Sequence, residues 1–106
     1  MLEVGGLIMH VIVDFTIVPV GTGLSLSPYV AEVERVLRGT GLHHELHANG
    51  TNVEGEWDAV MAAIRACHEA LHAMGVARIH TDIKLGTRND RDQCMADKVA
   101  SVLKKI

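Results

Sequence analysis

Hydrophobic residues in this chain change their period along its length, and the order of those changes restricts the fold more than any other feature. Residues 10–19 alternate and are rich in β-branched side chains, the pattern of a strand. Val11, Val13, Phe15 and Ile17 point one way, and Ile12, Asp14, Thr16 and Val18 the other. After the loop Gly21-Thr22-Gly23-Leu24-Ser25-Leu26, Ser27 is a candidate N-cap, with Pro28 at the first helical position. Val30, Val33 and Leu37 then form an apolar stripe, and Gly39 or Gly41 ends the helix. Leu42 to Ala48 alternates again, with His43, Glu45 and His47 opposite Leu42, His44 and Leu46. A short turn leads to a brief strand over Thr51–Glu54. A long helix follows from near Glu56 to Met74, its stripe made of Trp57, Val60, Ile64, Cys67, Leu71 and Met74, with Gly75 as the stop. Residues 76–86 alternate as a last strand. From about Met95, the residues Val99, Val102, Leu103 and Ile106 recur at helical spacing.

The order is β-α-β-β-α-β followed by a tail helix. It predicts an α+β fold of the ferredoxin-like kind, an antiparallel sheet with two helices on one face and an extra C-terminal helix. The opposite face is left open. Ile12, Thr16 and Val18 share it with Asp14, His80, Asp82 and Lys84, a half-apolar surface of the sort commonly covered by another subunit, so a homo-oligomer is expected. With 106 residues, the chain reads as one domain over 9–106. Residues 1–8 lack periodicity and precede a second methionine, and they read as a disordered N-terminal extension.

Charge and composition exclude several classes. A net charge of -3 and a pI near 6.1 argue against a nucleic-acid backbone as partner. Three aromatic residues, Phe15, Tyr29 and Trp57, are too few for a base-stacking platform. The apolar segment from Val11 to Val20 is too short to span a bilayer and is interrupted by Asp14, so no membrane partner is expected. Cys67 and Cys94 form no paired-thiol motif, which fits a reduced cytoplasmic compartment.

Three patterns invite a chemical reading. His68-Glu69-Ala70-Leu71-His72 matches H-E-x-x-H, in which two His one helical turn apart bind zinc and Glu activates water. No third ligand follows shortly after, and a chain of this size has no second domain to form a cleft, so a metal-dependent hydrolase is the weaker alternative. His43, His44 and His47 resemble a metal cluster, but strand alternation turns His44 away from the other two. Arg88, Asp90, Arg91 and Asp92 form a mixed-charge loop that reads as a solvated connection. No Ser/His/Asp or Cys/His triad can be assembled, and the reading is non-enzymatic.

The segment Asn49 to Asp58 is different. It places a Gly-Thr turn, Glu54, Glu56 and the only tryptophan at the start of a helix, where backbone N–H groups and the helix dipole are available to a small polar ligand. Core packing is the alternative role for Trp57, and helix capping for its polar neighbours.

Several blocks resemble the small thiamine-binding proteins with a ferredoxin-like fold. They are Val18-Pro19-Val20-Gly21-Thr22-Gly23, Ser25-Leu26-Ser27-Pro28-Tyr29-Val30, Gly50 to Asp58, Met74-Gly75, Thr81 to Arg88, and Met95-Ala96-Asp97-Lys98-Val99. They run in the family's order from Met9 onward. Where the family often shows Pro-Met before Gly-Thr, this chain has Ala48-Asn49. The resemblance implies a cytoplasmic homo-oligomer, dimer or tetramer, that binds thiamine or its hydroxymethylpyrimidine half as a ligand, with no further cofactor and no metal. Glu54 or Asn49 would accept from the exocyclic amine, and the hydroxyls of Thr22, Ser25, Ser27 and Thr51 would serve the ring or the hydroxymethyl group. Glu56 or the Trp57 face would suit a cationic thiazolium. A ligand-free oligomerisation or regulatory module is the other alternative, with these polar groups acting only as caps.

Overall fold

The computed structural model describes residues 8–106; the proposed extension over 1–8 therefore lies, Ile8 apart, outside the described residues. The elements are β1 (His10–Val20), α1 (Ser27–Thr40), β2 (His43–His47), β3 (Gly50–Glu56), α2 (Trp57–Ala73), β4 (Arg78–Gly86) and α3 (Met95–Leu103). The sheet order is β2-β3-β1-β4 and every neighbouring pair is antiparallel. This is the ferredoxin-like βαββαβ arrangement with an added C-terminal helix, as the periodicities predict.

The alternation of β1 decides which face is covered. Val11, Val13, Phe15 and Ile17 are buried beneath α1 and α2, together with Val33, Leu37, Val53, Val60, Ile64, Cys67 and Leu71. At about 25 cal/mol per Å² of apolar surface removed from water, this cluster is the main favourable contribution to the fold. The opposite face carries ordered rows across the strands. His43, Glu54, Ile12 and Gly86 form one, and Glu45, Asn52, Asp14 and Lys84 the next.

Local details depart from the sequence reading in two places, the start of α1 and the ends of α2, while the stop of α1 is one of the two glycines expected. The α1 N-cap is Leu26, without a side-chain hydrogen bond, and Ser27 is already helical; Pro28 supplies the start by fixing φ in the first turn. Gly41, at φ 77°, ends α1 in the left-handed conformation that glycine adopts without steric cost. Trp57 and Met74, placed on the core stripe of α2, are 36% and 46% exposed. They occupy or flank the ends of α2, beyond the sheet layer that covers its middle. Among the described residues, no helix is long and apolar enough to cross a membrane.

Candidate functional site

The site starts from Glu54. Strand parity places its side chain on the open face, beside Ile12 of β1 and His43 of β2. It is nevertheless only 8% exposed, because the chain returns over it after β4. Its Oε1 accepts the Met95 N–H at 2.9 Å and lies 3.2 Å from His10 Nε2. A carboxylate at the start of a helix satisfies an otherwise orphan N–H and meets the positive end of the helix dipole. Glu54 thus holds two things in place: the N-terminus of α3 and the ring of His10.

Between them lies a cleft of about 1180 Å³. Its floor is Ile12 and Gly86, register partners on β1 and β4, with Met9 and His10 at the near end. The loop 87–94 and the first turn of α3 form its wall. That loop is braced from within. The Arg88 fork donates to Asp90 at 2.7 and 2.5 Å and to Gln93 Oε1 at 2.9 Å. The Arg88 hydrogen bond, with help from backbone N–H and neighbouring charge, holds the Asp90 carboxyl down at about 2, and Arg88 is in turn raised above its usual value. Cys94 N–H donates to Asp97 Oδ2 at 3.0 Å, which closes the first turn of α3 and lowers the Asp97 pKa. Arg88, Arg91 and Lys98 face the cleft alongside Asp90, Asp92 and Asp97. A wall with balanced donors and acceptors over an apolar floor suits a small polar molecule with a flat face.

The residues singled out in the sequence fall into three places. Glu54, Glu56 and Trp57 gather where β3 enters α2. Glu56 caps that helix, accepting from Asp58 N–H at 3.0 Å and Ala59 N–H at 3.2 Å, and Trp57 N–H donates to Met9 O at 2.8 Å. Thr51 lies on the covered face, where its hydroxyl donates to Glu34 Oε2 at 2.7 Å; Asn49 is in the exposed β2–β3 turn, with its carbonyl accepting from Thr16 Oγ1 at 2.7 Å. Thr22, Ser25 and Ser27 follow the far end of β1, and the strand from His10 to Val20 spans roughly 33 Å. Ser25 and Ser27 are exposed there, while Thr22 Oγ1 is shut from solvent with no hydrogen-bond partner among the described residues. These eight residues therefore do not converge on one pocket within a single chain.

The residues that do line the cleft include Met9, His10, Ile12 and the mixed-charge loop after β4. The loop is more than a solvated connection. The available signal was the Cys94–Asp97 spacing of a capped helix start, which implies that the loop returns to a fixed point.

The H-E-x-x-H residues are engaged elsewhere. His68 Nε2 lies 2.6 Å from Thr81 Oγ1, His72 Nδ1 donates to Val76 O at 2.8 Å, and exposed Glu69 pairs with Arg65 at 3.4 Å. Burial, and then the neighbouring His72, lower the His68 pKa. His43 and His47 face the open side, with His47 Nε2 2.8 Å from Asp14 Oδ1, while His44 faces the helices and donates to Leu42 O at 3.0 Å. Among the described residues, no three His, Cys, Asp or Glu side chains gather as a metal site. The Cys67 thiol, sealed in the core, is pushed up to about 12, chiefly by burial and then by Glu34. It is not a nucleophile at neutral pH.

The fold and the cleft define a class: a small ferredoxin-like α+β protein with a small-molecule-sized recess on its open sheet face. Residues 13–103 match the family described as thiamine-binding protein, and the chain belongs to that family. It is 54% identical over 94 residues to the UPF0045 protein sll0230 of Synechocystis, covering 89% of this chain and 78% of the relative. It is 44% identical over 99 residues to the UPF0045 protein ECM15 of Eremothecium gossypii, covering 92% and 94%. The solved structure of protein MJ1052 from Methanocaldococcus jannaschii matches with a TM-score of 0.82 at 28% identity, covering 91% of this chain and 98% of that one. The Thermotoga maritima protein TM0486 shares the fold, with a TM-score of 0.75 at 18% identity and coverage of 88% and 98%.

Proposed function

We propose that this protein binds thiamine or its hydroxymethylpyrimidine half, without catalysing a reaction, in the cleft between β1, β4 and α3. The reading places it in the cytoplasm as a homo-oligomer and assigns it carriage or sensing of the ligand. The observation that carries it is the cleft itself, on a chain whose family match runs from residue 13 to 103. An aminopyrimidine needs acceptors for its exocyclic amine, donors for its ring nitrogens and an apolar surface for its face. Asp92 and Asp97 supply the first, Arg91 and Lys98 the second, and Ile12 with the His10 ring the third. The thiazolium of intact thiamine adds a positive charge that the same carboxylates accommodate. Glu54 acts behind this surface by fixing His10 and the α3 N-terminus.

Titration calorimetry with thiamine and, separately, with hydroxymethylpyrimidine tests the reading. Saturable binding of one compound is expected, weakened about 10-fold or more by Glu54→Gln, a loss of about 1.4 kcal/mol. A folded protein that binds neither compound would overturn the assignment and favour a ligand-free oligomerisation module.

A further inference from the structure

Residues 87–106 hang from the rest of the protein at two points. The first is covalent, at Gly86, the last residue of β4 and the register partner of Ile12. A Cβ at Gly86 would meet nothing within 4 Å, so the chain has room to turn there. The second is Met95. Its N–H donates to Glu54 Oε1 at 2.9 Å, and among the described residues no other hydrogen bond or ion pair joins 87–106 to the sheet, α1 or α2. The Met95 side chain is 6% exposed, yet it lies outside the cluster that α1 and α2 seal against the sheet. Past it, Val99, Val102 and Leu103 are 59%, 60% and 63% exposed, so α3 gains little burial beyond its first residue.

Within itself this segment is braced. Arg88 grips Asp90 and Gln93, and Cys94 with Asp97 closes the first turn of α3. The bracing begins at Arg88, which leaves Gly86 and Thr87 as the hinge. Rigid pieces commonly swing through φ and ψ changes at a few residues that end an element. The two halves of the cleft thus belong to two bodies. His10 and Ile12 stay with the sheet, while Arg91, Asp92, Asp97 and Lys98 ride on the hinged segment. We propose that residues 87–103 are a lid over the cleft, hinged at Gly86-Thr87 and latched by Met95 on Glu54. The site is complete only when the lid is shut. A ligand that touches both halves therefore favours the closed state, and any opened population lowers its apparent affinity. The ligand's part in closure rests on the reading of the cleft given above; the hinge and latch do not.

Amide hydrogen exchange read by mass spectrometry on the full chain tests it. Without ligand, the amides of α3 are expected to exchange about 100-fold or more faster than those in the middle of α2, because the lid opens without disturbing the core. Met95→Ala removes the buried half of the latch at a position outside the core cluster. The sheet and α2 should keep their protection, while α3 exchanges about 10-fold or more faster still. Glu54→Gln, which weakens the hydrogen-bonded half, repeats that arm if Met95→Ala fails to fold. Thiamine at a concentration that saturates its calorimetric signal is expected to slow exchange across 87–103 with little change in α2. Amides of α3 as slow as those of α2 in the unligated protein would overturn the proposal. So would a folded latch variant with unaltered α3 rates, or bound thiamine that leaves 87–103 exchanging as before. Fast, Met95-dependent exchange in a protein that binds no thiamine would support the hinge and latch and count against the proposed function alone.

Discussion

Gly50 sits where β3 approaches β1 too closely for any side chain. A Cβ there would stand 2.8 Å from Phe15 O, 2.8 Å from Thr16 Oγ1 and 3.1 Å from Asp14 Oδ1. The first of these is backbone in the middle of a paired strand and cannot swing aside. Gly50→Ala is therefore expected to destabilise the protein by about 1–3 kcal/mol, the usual range for overpacking, and to lower the urea midpoint without changing the slope. An unchanged midpoint would show that β1 and β3 separate there in solution. The contrast between Thr51 and Glu54 is also a matter of single residues. Both are polar and nearly buried, but one is held by Glu34 under α1 and the other by Met95 and His10 on the open face.

Helix α2 makes its pH-sensitive contact with β4 through His68 and Thr81. Burial, then the charge of His72, lower the His68 pKa below the ordinary 6.5, so the folded state favours the neutral ring. Below pH 6.5 the unfolded chain binds a proton that the folded chain resists. The contribution of His68 to stability is thus intact above that pH and falls as the pH drops toward the depressed value, levelling beneath it. His68→Gln is expected to flatten that part of the stability profile relative to the unaltered protein, as read by thermal melts from pH 7.5 to 5. Identical profiles would show that the ring is solvated in both states. The ends of the same element show how local signals can mislead. Glu56 caps α2 through two N–H groups, whereas Ser27, the residue type most often found at a cap, lies one position inside α1.

At the scale of the molecule, one sheet face is sealed by two helices and the other is roofed only at one end by the loop 87–94 and α3. The proposed homo-oligomer would be stabilised by association, so the melting temperature is expected to rise with protein concentration. A series from 1 to 100 µM, a range chosen on the order of common dissociation constants, checks this by differential scanning fluorimetry or calorimetry. A flat response across that range, in a protein shown to be monomeric, would place the stability entirely within one chain.

The sequence by itself determined the elements, their order and the covered face of β1. Each of these follows from a period of two or of 3.6 within a few consecutive residues, and the side chains that set the period are the ones buried. It also determined that His43 and His47 oppose His44, since strand parity is local. Tertiary structure alone decided which polar residues meet. Glu54 finds its partners 41 and 44 residues away, at Met95 and His10, and no local pattern encodes a return path over the open face. Part of the difference was legible. Thr51 and Glu54 are three residues apart on one strand, an odd spacing, so their side chains must leave the sheet on opposite faces. The cleft was not legible, because it exists only where the loop after β4 and the start of α3 are brought back onto β1.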